Sequence, residues 1–154
     1  MKKLTRCLLL VLAAAGLFAQ QKKPVVAVMP FTAGSGINAS DADAITSLFC
    51  TKLADTGKVT VINRAALETI IKEHKFQAGD LANDEKKAKL GKALNAELIV
   101  QGKIEKLGDN ILVSVQLTGI ETKLTSEGDF IFANMEKVHE KMDSLADSLL
   151  KVIK

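Results

Sequence analysis

The sequence predicts an α/β domain: a mixed five-stranded sheet with helices packed on it, in the element order β-α-β-α-α-β-β-β-α. Three observations carry this. Between residues 25 and 97, short β-branched runs alternate with helical patterns, which implies parallel strands joined by crossovers. Residues 98–120 then hold two longer runs on either side of Gly108-Asp109-Asn110, the pattern of a hairpin. After one more strand, the chain closes on an amphipathic helix.

Each element has a local cause. Val25–Phe31 is an apolar run closed by Pro30, as for a strand covered on both faces. Ser40 followed by Asp43 reads as an N-cap with a capping-box variant, and Ile45, Leu48, Phe49 and Leu53 continue at helical spacing to about Asp55. Gly57 ends that helix. Val59–Asn63 is a second strand, and a helix from about Ala65 carries Leu67, Ile70, Ile71 and His74. Gln77–Leu81 reads as a polar loop. Asn83 caps a third helix whose first turn is acidic (Asp84, Glu85) and whose later turns are basic, matching the helix dipole; Leu90 and Leu94 point inward. Gly91 in mid-helix costs about 1 kcal/mol relative to Ala, which implies a close backbone contact. In Ile111–Ile120 the residues Ile111, Val113, Val115 and Leu117 alternate with a mostly polar set, so one face of this strand is core and the other is partly wet. Gly128–Ala133 is the last strand. The helix Met135–Ile153 buries Val138, Met142, Leu145, Leu149 and Val152.

The first residues read as a targeting signal. Basic Met1–Arg6 precedes the uncharged apolar run Cys7–Phe18, and polar Gln20–Lys23 follows, the layout of a bacterial secretory signal peptide cleaved after Ala19. The run is too short to span a bilayer with ease, so no transmembrane segment is expected in the mature chain. Cys7 stands before the apolar run and no cysteine follows it, so a lipid anchor is not expected either. The expectation is residues 1–19 as signal peptide and 20–154 as one exported, periplasmic domain.

Of the 21 Lys and Arg, three lie in the first 19 residues, which hold no acidic residue; the other 18 balance the 18 Asp and Glu. A nucleic-acid reader keeps a basic excess, and this chain has none beyond its leader; it also lacks Trp and Tyr for base stacking. Cys50 is the one cysteine beyond the leader, so no internal disulfide forms there, and its apolar helical setting suits a small hydrophobe.

Gly34-Ser35-Gly36-Ile37-Asn38-Ala39 fits the G-x-G-x-x-A spacing of a dinucleotide turn. Two features argue against a cofactor: Thr32 and Ala33 separate the strand from Gly34, and the expected cap, Ser40, follows the whole segment. The second strand ends in Asn63-Arg64, where a dinucleotide site has an acidic ribose ligand. A flexible surface loop is the expectation, with Gly34, Ser35, Gly36 and Asn38 as candidate partner contacts. Arg64 has two readings, an internal tie to a carboxylate or carbonyls and a further partner contact. His74 and His139 form no H-x-x-x-H pair, and no serine sits in G-x-S-x-G. No catalytic, metal or cofactor residues are assigned.

The segment VINRAALETIIKEHKFQ resembles the Arg-x-x-Leu-x-x-Ile/Leu-Ile/Leu-x-Glu signature of the curli-assembly family (CsgG-type), here carried by Arg64, Leu67, Ile70, Ile71 and Glu73. KLGKALNAELIVQGKI is similar to that family's Leu-Gly-Lys-x-Leu-x-Ala…Val-x-Gly segment through Leu90, Gly91, Lys92, Leu94, Ala96, Val100 and Gly102, and AVMPF resembles its first strand. Where the family tends to read Asp-x-Glu-Thr-Gly, this chain has Gly119-Ile120-Glu121-Thr122-Lys123, with Lys123 in the glycine slot. Pore-forming members carry extra membrane-hairpin segments and a lipidated cysteine, which have no counterpart here. The resemblance is to the bare periplasmic domain, as in the related LpoB-type activators of penicillin-binding proteins. It implies a non-enzymatic envelope module that binds a protein partner through loops such as Thr32–Ser40 and Gln77–Asn83, with homo-oligomerisation as a variant. The alternative expectation is a periplasmic small-ligand-binding protein using the Gly34–Gly36 loop.

Overall fold

The computed structural model describes residues 22–122 and 124–152. The leader, its cleavage site after Ala19, Lys123 and Ile153 lie outside the described residues. The elements are β1 (Val25–Val28), β2 (Thr32–Ala33), α1 (Ala39–Asp55), β3 (Thr60–Val61), α2 (Arg64–Glu73), a 3-10 turn (Ala78–Ala82), α3 (Asp84–Leu94), β4 (Leu98–Leu107), β5 (Asn110–Gly119), β6 (Thr125–Phe132), α4 (Met135–Leu149) and a closing 3-10 turn (Leu150–Val152). The order is the expected one, with a two-residue strand, β2, added to the five.

The sheet runs β3-β1-β4-β5-β6. β1 is parallel to β3 and β4, β2 is parallel to β4 further along, and the β4-β5-β6 meander is antiparallel. The first apolar run is thus one strand interrupted at Pro30, which has no N–H to give to a ladder. Gly108, at φ +62°, takes the first central position of the two-residue turn between β4 and β5.

Helices cover the two faces unequally. On one face α1 and α4 bury Ala42, Ile45, Phe49 and Leu53, and Val138, Met142, Leu145 and Leu149, against the odd-numbered residues of β5 and the even-numbered residues of β1 and β4. Each fully buried Leu, Ile or Phe there is worth about 1.5–3 kcal/mol. On the other face α2, α3 and the 3-10 turn bury Leu67, Leu90 and Leu81 against Ala27, Met29, Ala96 and Ile99, with Ile62 and Ile120 at the margin. Among the described residues, no helix lies over the rest of that face.

Two glycines allow close approaches. A Cβ on Gly91 would lie 2.5 Å from Cδ1 of Ile120, the contact that its mid-helix position predicts. A Cβ on Gly102 would lie 2.5–2.7 Å from three atoms of the Phe31 ring. Phe31 is buried, packs against Phe49 of α1 in a tilted pair with ring centroids 5.4 Å apart, and donates its N–H to Thr46 Oγ1 at 3.0 Å.

Several boundaries differ from expectation. The cap of α1 is Asn38, whose Oδ1 accepts the Asp41 N–H at 2.8 Å; Ser40 is already helical. Asn and Ser are comparable caps, and the earlier one starts the helix two residues sooner. Gln77–Leu81 is mostly a 3-10 turn, and Leu81 within it is buried. β3 keeps only two residues, because Ile62 turns its side chain toward α2 and Asn63 caps that helix. β6 begins at Thr125 instead of Gly128, because β5 offers it a continuous register from Thr118↔Thr125 to Ile111↔Phe132. His74, expected within α2, is its exposed C-cap. Cys50 is half-buried against the α1–α4 core, and burial pushes its thiol pKa up, with the Arg64 charge acting in the opposite direction.

Gly102→Ala is expected to lower unfolding stability by about 1–3 kcal/mol, since the ring it would displace is enclosed. Gly79→Ala, where an added Cβ meets nothing within 4 Å, is the matched control. Urea unfolding of both variants checks this, with Gly79→Ala at or slightly above the parent.

Candidate functional site

The glycine loop follows β2 directly and runs along β4. The Gly34 N–H donates to the Ile104 carbonyl at 2.6 Å, and the Lys106 N–H donates to the Ser35 carbonyl at 2.7 Å. The flexible connection expected from the sequence is therefore stitched to the sheet at both glycines' neighbours. A Cβ on Gly34 would meet Glu105 and one on Gly36 would meet Lys106, and Gly36 has φ +72°. Glycine is needed here so that the loop can lie close against β4.

Its donors are not arranged for a phosphate. The first turn of α1 is closed by Asn38, whose side chain accepts from Asp41 N–H and donates to Asp41 Oδ2 at 2.8 Å. That carboxylate puts negative charge where a dinucleotide turn receives its pyrophosphate. Gly34 does follow a strand, contrary to the sequence-based argument, but its N–H is engaged by β4.

Arg64 lies elsewhere. From the first residue of α2 it reaches around the β3 edge to α1, where it binds the Asp43 carboxylate and donates to Ser47 Oγ at 2.9 Å; Nε donates to Glu68 at 3.0 Å. The hydrogen bond to Asp43, and then that to Glu68, holds its pKa above the ordinary guanidinium value. Asp43 and Ser47 are five and nine residues past Asn38, roughly 8–14 Å along the helix. Arg64 is an internal tie between the two helical layers, separate from the glycine loop.

One concave feature is on the half of the sheet that α2 and α3 leave open; a second, basic one lies between the end of α2 and α3, lined by Lys75, Lys86, Lys89 and Lys92. The first, a groove of about 560 Å³, has β4, β5 and β6 as its floor. Register sets the floor in rows: Gln101, Gln116 and Glu127 lie side by side, as do Lys103, Ser114 and Asp129. Gln116 donates to the Glu127 carboxylate and Lys103 pairs with Glu105. One wall is apolar, built by Ile71 of α2, by Phe76 just after that helix and by Leu81 of the 3-10 turn, with Met29, Pro30 and Thr32 at the rim. Gly34, Ser35, Gly36, Asn38 and Arg64 do not line it. Beyond its far end on the same face, Ile131 and Leu107 are exposed at 61% and 54%. None of the floor residues was singled out in the sequence; the polar half of the β5 alternation was the available signal.

The 3-10 wall is held by Asp80. Its carboxylate accepts from Lys86 Nζ at 2.6 Å and from the Gln77 N–H at 2.9 Å. Lys86 first, and then Gln77, hold the Asp80 pKa below the ordinary carboxylate range.

A family profile described as "Curli production assembly/transport component CsgG" matches residues 12–136. The chain belongs to this family. No curated protein sequence matches it. Among solved structures, lipoprotein GNA1162 from Neisseria meningitidis is similar at 11% identity and TM-score 0.62, over 85% of this chain and 99% of that one. The LpoB C-terminal domain from Escherichia coli is similar at 16% identity and TM-score 0.56, over 80% and 93%. TolB from Acinetobacter baumannii is similar at 15% identity and TM-score 0.57, over 87% of this chain and 29% of that one. These likenesses concern the fold. Among the described residues no helix is long and apolar enough to cross a membrane.

Because the folded pKa of Asp80 is depressed, its contribution to holding the Gln77–Asn83 segment is present above the unfolded carboxylate pKa, about 4, and lost as pH falls through the folded value. Amide exchange at Gln77, followed by NMR from pH 6 downward, should accelerate over that window relative to a reference amide in β5. Asp80→Asn should flatten the difference.

Proposed function

We propose that this protein is a non-enzymatic module of the bacterial cell envelope, exported to the periplasm by residues 1–19 and cleaved after Ala19, that works by binding another protein. The observation that carries the reading is the half-open sheet. A ten-residue hairpin pair presents aligned Gln, Ser and Lys side chains on fixed strands, beside an apolar wall, with no helix among the described residues to cover them. A face of this kind is built for contact. Both loops singled out in the sequence border it: Thr32 stands at the rim, and Gln77 and Leu81 are in the wall.

Membership of a family named for curli assembly and transport supports an assembly or regulatory role. The fold shared with LpoB supports a partner among cell-wall synthases or outer-membrane assemblies. Exposed Ser35, Gly36 and Asn38 are proposed as partner contacts outside the groove, on the loop that follows its rim residue Thr32, with Gly34 setting that loop against β4. Arg64, engaged by three side chains, acts by fixing α1 to α2. A small ligand at the glycine loop finds less support, since Asn38 and Asp41 close the helix start. A ring of identical subunits is a variant of the same reading, with the partner being another copy.

Crosslinking the protein in the periplasm, followed by pull-down and mass spectrometry, tests the proposal. The expected result is recovery of a cell-wall synthase or an outer-membrane assembly component, reduced several-fold by Ser35→Arg, which leaves the backbone bond to Lys106 in place. Recovery of the protein alone would contradict a separate partner.

A further inference from the structure

The groove has a chemistry of its own. Its two ends differ: Ile71, Phe76 and Leu81 make one side apolar, while Glu127 and Asp129 on the outermost strand make the other acidic. Lys103, the cation of the floor, pairs with Glu105, so it does not neutralise them. Asp129 makes no ion pair with any described residue. Between the ends lie Gln101, Ser114 and Gln116, which donate and accept hydrogen bonds without charge.

From this we infer that the groove takes an extended basic segment of a partner protein, laid across the strands with an apolar side chain against Phe76 and a Lys or Arg at Glu127 and Asp129. The inference rests on the protein-binding reading and names the partner's chemistry. The spacing follows from the sheet. Met29 hydrogen-bonds to β4, and β5 and β6 lie beyond it, so the apolar rim and the carboxylates are about three strand spacings apart, roughly 14 Å. An extended chain covers that in about four residues, an apolar-x-x-x-basic pattern.

Charge excludes the obvious competitors. Two copies meeting along β6, antiparallel about Gly128, would set Glu127 against Asp129 of the other copy, and like charges directly opposite repel. An anionic glycan or lipid headgroup meets the same carboxylates. A cationic segment does not.

The test uses a synthetic seven-residue peptide with Leu and Arg four positions apart and Ser and Gly elsewhere, and a second peptide with citrulline in place of Arg. Each is titrated by NMR into protein purified after expression of the full sequence. The expected result is saturable binding with Kd below about 1 mM, with shifts at Phe76, Gln116, Glu127 and Asp129. The citrulline peptide and the Glu127→Gln/Asp129→Asn protein should each bind about tenfold more weakly, and added salt should weaken the parent pair. Both acidic residues are exposed, so the double variant should keep its fold, which circular dichroism confirms before titration. No binding, binding indifferent to both changes, or shifts confined to Ser35–Asn38 would overturn the inference. If the double variant still captures its envelope partner in the periplasm, the protein-binding reading stands and this assignment of the groove falls.

Discussion

The structure depends on one contact, the ring of Phe31 seated over Gly102. Pro30 interrupts the first strand, and the chain must regain β4 on the far side of that break. Phe31 makes this possible: its ring fills the space above Gly102 and packs at a tilt against Phe49, while its N–H is held by Thr46 of α1. The contact joins sheet to helix at the place where the edge of β4 passes from β1 to β2. Downstream it sets the line of the glycine loop along β4. On the opposite face it leaves Met29, Pro30 and Thr32 at the rim of the groove.

The second constraint is unequal helix length. α1 and α4, at 17 and 15 residues, are long enough to cover their face out to Phe132. α2 and α3, at 10 and 11 residues, end over β1 and the start of β4. The crossover from β1 to β3 carries α1 and the one from β3 to β4 carries α2 and α3; they run in opposite directions across the sheet and on opposite faces, so both have the same hand. The uncovered area follows from this geometry, and the polar even-numbered side chains of β5 are its counterpart in sequence. Arg64 then locks the layers at the β3 edge, away from the open side.

Much of this was legible in the sequence because it is written as period. The helical spacing of α1 and α4, the alternation in β5 and the Asn83 cap all depend on near neighbours along the chain, and Gly91 stood out because a mid-helix glycine is locally costly, although the Ile120 side chain it meets comes from beyond β5. What escaped depends on register. β2 exists because two residues fall beside Lys103 and Ile104, and no two-residue pattern announces that. The start of β6 is set by β5, and with it the positions of Glu127 and Asp129. The groove floor is a product of three strands in register, so none of its rows is visible within any one of them. The choice of Asn38 over Ser40 was a choice between two good caps, decided by how soon α1 can begin after Gly36.

The account turns on the open half of the sheet being the contact surface. Site-specific photocrosslinking in the periplasm tests this most directly, with the photoreactive residue placed at Ser114 on the open floor or at Ser144 on the outer side of α4. Both positions are polar and lie on opposite sides of the molecule. A partner adduct at Ser114 with little or none at Ser144 is the predicted result. Strong capture at Ser144 with none at Ser114 would mean that the partner binds the helical face and that the groove is not its site.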